Sequence, residues 1–415
     1  MLKVSIITIG DEVRIGQVVN TNAAWIAKEI TQLGAFISNH ITIGDDFDLM
    51  LSTLKSEINK NDIIITTGGL GPTHDDITKP VLLKYFNDEI IFDQNSFQNI
   101  KKLFNSRGRP ITDRNKLQAY IPSKSIPLLN QLGTAPGLMY KLPDDKLLFV
   151  LPGVPAEMKS ITSNSILSII EAKIKQQNHN VILYKTLHVA GIFESSLADL
   201  VGDVDEFLEL STLAFLPSYG GIRLRIGTEA ENFDIAQKEI DRITEILYKK
   251  VGQFIIGEDE LDLATLLSEK LKKRKYTVAV AESCTGGGLG FEFTKIPGSS
   301  SYFLGGVISY SNSVKNEFLN IPNKILEQYC AVSKETAELM AMNCRLKFNS
   351  DYSLSITGIA GPDGGSEDKP VGTVWIGISD KEQTTAKLFH FGNDRDLIRE
   401  RSIQTALLML FDLIK

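Results

Sequence analysis

The stretch Ala281-Glu282-Ser283-Cys284-Thr285-Gly286-Gly287 constrains the fold more than any other part of the chain. A short β-type run at 276–280 leads into it, and Gly288-Leu289-Gly290 with an apolar segment follows. A strand that gives way to small hydroxylated residues and then glycines reads as a strand–turn–helix junction, where backbone amides come close to a ligand. If the helix begins at Thr285 or at the glycines, its first N–H groups point at whatever Ser283 holds. Ser283 is then a candidate nucleophile beside an oxyanion site. A tight turn without chemistry accounts for the same seven residues.

The same grammar opens the chain. Residues 3–9 form a continuous apolar run ending at Gly10-Asp11-Glu12, as expected of a buried parallel strand. Asn22 is placed to cap a helix carrying Ala23, Ile26, Ala27, Ile30 and Leu33, closed by Gly34. A strand at 35–42, a helix at 47–58 and a strand at 62–67 follow. Alternating strands and helices imply an α/β domain with a parallel sheet and right-handed crossovers. The third strand runs into Thr67-Gly68-Gly69-Leu70-Gly71-Pro72-Thr73-His74-Asp75-Asp76, where open α/β sheets hold their ligands. Its glycines admit phosphates, and Asp75 and Asp76 suit a hard divalent cation such as Mg²⁺. Either aspartate would also serve as a plain cap for the helix at 77–86. A fourth strand at 146–151 ends in Pro152-Gly153-Val154-Pro155-Ala156-Glu157, with Pro155 in a first helical turn and Glu157 near its positive end.

Three domains are expected: 1–172, 180–256 and 258–415. A polar segment at 171–180 precedes a strand, a helix at 194–201, two strands joined near Gly220-Gly221, a helix at 233–251 and a last strand at 254–256, close to a split β-α-β unit. In the last domain, Asp262 is expected to cap a leucine-faced helix. Ser333 is expected to cap another, with Cys344 in its core. Lys315 follows Tyr310-Ser311-Asn312 on a matching strand end, and a second glycine loop spans 358–365. A serine needs a base, and His390 is this domain's single histidine, with no obvious carboxylate to orient it. Lys315 becomes a base if burial lowers its pKa from about 10.4, with Tyr310 relaying a proton or holding the lysine. An ordinary surface lysine fits the same position.

Two sets of motifs resemble the CinA family. Gly10-Asp11-Glu12, Asn20-Thr21-Asn22, residues 67–76, Gly133-Thr134-Ala135-Pro136-Gly137 and Leu151-Pro152-Gly153-Val154-Pro155 resemble its N-terminal domain, similar in fold to the molybdopterin-binding MoaB/MogA proteins. That resemblance implies metal-dependent hydrolysis of ADP-ribose. Asn20, Asn22, Gly68, Gly69, Gly71, Thr73, Gly153, Pro155 and Glu157 would hold the substrate, and Asp75 and Asp76 the cation. The family's middle domain is KH-like. This segment lacks a Gly-x-x-Gly clamp and is more acidic than basic, so a spacer or dimerisation module is expected rather than RNA binding, in a homodimer.

Residues 281–287, Tyr310-Ser311-Asn312 with Lys315, 357–365, 369–374 and Gly392-Asn393-Asp394-Arg395 resemble the family's C-terminal domain, a nicotinamide-nucleotide amidohydrolase. The resemblance implies a Ser–Lys amidase that needs no cofactor and converts nicotinamide mononucleotide to nicotinic acid mononucleotide and ammonia. Ser283 would be nucleophile, Lys315 base and Tyr310 assistant. Thr285, Gly286, Gly287, Thr357, Gly358, Gly361 and Gly364 would line the substrate, with Arg395 or Arg399 on its phosphate. Two rivals stand beside this reading: an N-terminal half that binds molybdopterin or a nucleotide without hydrolysis, and a competence- or damage-related adaptor without turnover.

Bulk properties narrow the partners. A net charge of −7 over 415 residues argues against a nucleic-acid backbone or an anionic membrane. Cys284, Cys330 and Cys344 have neither metal spacing nor an even count. The first six residues read as strand rather than signal peptide, and no apolar run reaches membrane-spanning length, so a cytoplasmic location is expected.

Overall fold

In the computed structural model, residues 1–71, 76–176, 180–209, 211–218, 220–259 and 263–414 are described. They divide into two compact units. The first is Met1–Tyr184 with Leu208–Thr212 and Gly227–Thr244, and the second is Lys185–Phe207, Leu213–Ile226 and Glu245–Lys415.

The first unit is built on a six-stranded sheet. Lys3–Ile9 is an interior strand, apolar on both faces, with six of its seven residues buried. It pairs in parallel with Phe36–Ile43 and with Ile63–Thr67, and the latter pairs in parallel with Leu147–Leu151. Gly137–Lys141 and Ile126–Leu128 extend this parallel block by two antiparallel strands, from a region where the sequence reading placed no element. Helices Phe47–Lys60 and Thr78–Phe86 bury Met50, Leu54, Val81 and Leu82 against Ile7, Ile64 and Val150.

Two capping assignments differ from the sequence reading. Helix Thr21–Gln32 is capped by Asn20, whose side chain accepts from the Ala23 amide at 3.1 Å, not by Asn22. Two asparagines two residues apart satisfy the same pattern, and tertiary contacts choose between them. Helix Thr78–Phe86 has no side-chain cap: Asp76 accepts instead from the Gly71 amide at 2.7 Å. Asp75, like Thr73 and His74, lies outside the described residues, as does the proposed Asp262 cap.

The middle strands form a four-stranded sheet ordered Ser211–Ser218, Gly221–Ala230, Val181–Val189, Ile255–Glu258, with helices Glu194–Val201 and Phe233–Val251.

The second unit carries a five-stranded sheet ordered Phe303–Ile308, Val278–Glu282, Tyr352–Gly358, Thr373–Ser379, Thr384–His390. The first three strands are parallel and the last two antiparallel. Alternation along Val278–Glu282 splits the core into two layers. Val278 and Val280 pack in the cluster formed with Leu267, Leu271, Leu407 and Leu410. Ala279 and Ala281 pack with Leu319, Met340 and Cys344. Ser333 does cap helix Lys334–Phe348, accepting from the Thr336 amide. The same helix is tied to the sheet by hydroxyls: Ser353 Oγ donates to Ala341 O at 2.5 Å and Ser355 Oγ to Ala337 O at 2.6 Å. Such buried bonds contribute about 1 kcal/mol each. They fix the helix close against the strand, where Gly377 leaves it room: a Cβ there would stand 2.6 Å from Ala337 O.

Candidate active site and a second, glycine-lined cleft

Ser283 is the first residue beyond Val278–Glu282, and its amide donates to Ile356 O at 2.9 Å. On the other side, the Ser309 amide donates to Glu282 O at 2.7 Å. The carboxyl ends of three parallel strands therefore stand side by side, the place where open α/β sheets gather ligands.

Lys315 comes to this edge from helix Asn312–Leu319, which Ser311 caps. The lysine is fully buried. Its Nζ donates to Ser309 O at 2.6 Å, to Tyr310 O at 3.3 Å and to Ser283 Oγ at 3.2 Å. Burial without a carboxylate partner disfavours the ammonium and pulls its pKa down to about 8. The Tyr310 contact to the lysine is made by its main-chain carbonyl; the phenol is 65% exposed. Cys284 is buried among the apolar core residues, and burial pushes its thiol up to about 11, so it is no thiolate near neutrality.

The glycine amides are not aimed at a ligand of Ser283, as the turn had suggested. The helix begins at Gly288 (Gly288–Thr294), and the buried Glu282 carboxylate folds back over its start. Glu282 accepts from Thr285 Oγ1 at 2.7 Å and from the amides of Gly287, Leu289 and Gly290 at 3.0, 3.0 and 2.8 Å. Gly286 and Gly288 amides go to the carbonyls of Ser283 and Thr285. The Cys284 and Thr285 amides are left without a carbonyl or carboxylate acceptor among the described residues. Gly286 and Gly287 hold φ of 62° and 100°, a backbone that favours glycine.

The second glycine loop and both arginines reach the same neighbourhood. Thr357 is buried, with its hydroxyl on Ala331 O, so it is a packing contact rather than an open donor. Gly358 faces Thr373 and Val374, where a Cβ would stand within 3 Å. Arg395, in the first turn of helix Arg395–Leu413, donates to Gly361 O at 2.5 Å. One turn on, Arg399 donates to Thr285 O at 3.2 Å and pairs with Asp396 at 3.6 Å. One helix thus places cations on both loops. Gly364 lies farther along with φ of 90°. His390 stands on the edge strand, three strands from Ser283.

In the first unit, a cleft of about 420 Å³ lies over the carboxyl ends of Lys3–Ile9, Ile63–Thr67 and Leu147–Leu151. Gly68, Gly69, Gly71 and Gly153 line it with Glu12, Asp45, Asp76 and Glu157. Gly68 is required for closeness, since a Cβ there would lie 2.1 Å from Ile9 O. Asn22 is buried, and its amide ties Thr67 Oγ1 at 3.1 Å to Gly153 O at 2.7 Å, while its Oδ1 has no partner. Asn20 bonds Thr8 and Thr42 and serves the scaffold. Pro155 opens helix Pro155–Ile161, and Glu157 in its first turn accepts from Asn130 Nδ2 at 2.6 Å. Carboxylate oxygens suit a hard cation, yet no three of His, Cys, Asp or Glu gather in metal-binding geometry among the described residues. The described residues alone do not make a metal site.

Three family models match in sequence: "Probable molybdopterin binding domain" over residues 5–172, "Damage-inducible protein CinA KH domain" over 184–257 and "CinA C-terminal domain" over 260–414. A CinA-like protein of Chloroherpeton thalassium is 40% identical over 99% of this chain and 98% of its own length. The chain belongs to the CinA family. A CinA-like protein of Cytophaga hutchinsonii is 37% identical over 99% of this chain and 96% of its own. Among solved structures, a competence/damage-inducible protein of Agrobacterium tumefaciens is 34% identical over 37% of this chain and 94% of its own, with a TM-score of 0.36.

Within this CinA chain, the fold brings together Ser283, Lys315, Thr285, Arg399 and the main chain of Tyr310. In the first unit it joins Asn22, Gly68, Gly69, Gly71, Asp76, Gly153 and Glu157. Sequence reasoning missed Glu282 and Ser309. A carboxylate closing a buried strand, before a helix with no other N-cap, was the available signal for Glu282. No comparable signal marks Ser309, which acts through its carbonyl.

Among the described residues no helix is long and apolar enough to cross a membrane.

Proposed function

We propose that the C-terminal domain deamidates nicotinamide mononucleotide by a Ser–Lys mechanism, and that the N-terminal cleft hydrolyses ADP-ribose to AMP and ribose 5-phosphate with a divalent cation. The protein would do so in the cytoplasm, as a homodimer. The observation that carries the first half is the 3.2 Å bond from Lys315 Nζ to Ser283 Oγ, made by a lysine whose pKa is near 8.

A neutral Lys315 keeps two N–H donors for Ser309 O and Tyr310 O, which leaves its lone pair for the Ser283 hydroxyl. Ser283 Oγ attacks the carboxamide carbon as its proton passes to Lys315. The oxyanion would be met by the Cys284 and Thr285 amides, which Glu282 does not take. Lys315 returns the proton to the leaving nitrogen, the C–N bond breaks and ammonia departs. Water then attacks the acyl ester, again with Lys315 as base, and releases nicotinic acid mononucleotide and free Ser283. Arg395 and Arg399 supply charge for the substrate's phosphate.

The glycine loop, the buried Asn22 and the four carboxylates of the first cleft support a diphosphate substrate there. A cation held by Asp76 with Asp75 would neutralise phosphate charge.

One incubation tests both halves: purified full chain with both substrates, products identified by mass. Ammonia with nicotinic acid mononucleotide, lost in Ser283→Ala, supports the amidase, and its absence favours the adaptor. AMP from ADP-ribose supports the hydrolase; intact ADP-ribose favours a binder.

A further inference from the structure

The second unit contains a larger cavity, about 720 Å³, that neither proposed site uses. Its walls come from the strands Val181–Val189, Ser211–Ser218, Gly221–Ala230 and Ile255–Glu258 and from the helices Leu263–Arg274 and Arg395–Leu413. The volume lies within the range typical of small-molecule sites. Two guanidiniums line it from different elements, Arg223 on the strand and Arg401 on the helix. Neither makes an ion pair among the described residues, in a chain whose net charge is −7. Two arginines against one carboxylate give the described lining of this concavity a positive balance. Among the described residues, the single lining carboxylate, Glu400, already accepts from Gln404 Nε2 at 3.1 Å. Pro217 and Ile256 give the cavity an apolar wall.

We propose that this cavity binds a nucleoside monophosphate, with Arg223 and Arg401 on the phosphate, Glu400 on a ribose hydroxyl and the apolar wall against the base. Guanidiniums match phosphate oxygens in pairs, and a carboxylate accepts from a vicinal diol. A free phosphate would use the arginines alone; a nucleoside monophosphate uses all three features of the cavity. The assignment is independent of either activity proposed above, because no residue of those sites lines it.

The test is calorimetric titration of the full chain with AMP, repeated with adenosine and with inorganic phosphate. AMP should bind saturably, and more tightly than phosphate or adenosine by tenfold or more. Arg223→Ala and Arg401→Ala should each weaken that binding at least tenfold while leaving ammonia release by the Ser283 site unchanged. Both side chains are exposed, so the variants are expected to fold; an unchanged melting temperature without ligand checks this. Asp76→Asn, in the other cleft, should leave the AMP binding that depends on Arg223 and Arg401 intact. Absence of saturable AMP binding, or equal affinity in wild type and both arginine variants, overturns the assignment. Phosphate binding as tightly as AMP would also overturn it, since the cavity would then read only the anion.

Discussion

Lys315 makes the rate of the proposed amidase a function of pH that can be worked out beforehand. Its ordinary pKa of 10.5 is lowered to about 8, chiefly by burial. At pH 7 an unperturbed lysine is about 0.03% neutral; one with a pKa near 8 is about 10% neutral, a gain of roughly 300-fold in competent base. Since the neutral amine is the active form, kcat/KM should rise about tenfold for each pH unit below 7. It should rise about fivefold from pH 7 to 8 and level off above pH 9. Ammonia release measured from pH 6.5 to 9.5 keeps the substrate phosphate largely dianionic, so its titration contributes little. The same shift has a stability sign. Between pH 8 and 10.5 the unfolded chain binds the proton that the folded chain has lost, so stability rises with pH through that window. Below pH 8 the buried ammonium costs the fold about 3 kcal/mol, the fall from 10.5 to about 8 converted to energy. A rate flat from pH 6.5 to 9, or a profile retained in Lys315→Ala, would refute the assignment of Lys315 as base.

Ser283→Ala should abolish ammonia release and Cys284→Ala should leave substantial activity, because the thiol is buried in the core with its pKa near 11; the reverse pattern overturns the nucleophile. Glu282→Gln preserves size but turns one acceptor oxygen into a donor facing amides, so kcat should fall by about tenfold or more with little change in KM. Equal losses in kcat and in melting temperature, restored together by stabilising solutes, would reduce Glu282 to a folding role. A chelator should stop AMP formation from ADP-ribose while ammonia release continues, and undiminished AMP formation removes the cation from the first cleft.

The strands that carry both sites were legible as apolar runs ended by turn residues: Gly10 after Lys3–Ile9, Gly68 after Ile63–Thr67, Pro152 after Leu147–Leu151 and the Ser283 turn after Val278–Glu282. Residues 3–9 and the helices at 194–201 and 233–251 lie where the periodicity put them. The antiparallel extension of the first sheet was not legible. Ile126–Leu128 is three residues long and contains proline, too short for alternation to register. The choice of Asn20 over Asn22 was hidden for a different reason. Asn22 is held by Thr67 and Gly153, which are 45 and 131 residues away, and no local pattern encodes such contacts.

The Ser283 turn shows how local reading goes half right. Glycines after a strand do announce freed amides at a helix start, and those amides do find an acceptor. The acceptor is the carboxylate of the chain's own Glu282, one residue before Ser283. The Glu282 carboxylate accepts from four donors, three of them main-chain amides. It thereby locks Thr285, Gly287 and the first helical turn to the end of the strand before any substrate arrives. Ser283 sits between that anchor and its own amide bond to Ile356, so its backbone is pinned on both sides. Lys315 needs that rigidity. A lysine held by two carbonyls gains nothing as a base unless the hydroxyl it serves is also held at bonding distance. The glycine turn therefore contributes fixed geometry, and in the proposed mechanism oxyanion stabilisation would fall to the two amides that Glu282 does not take.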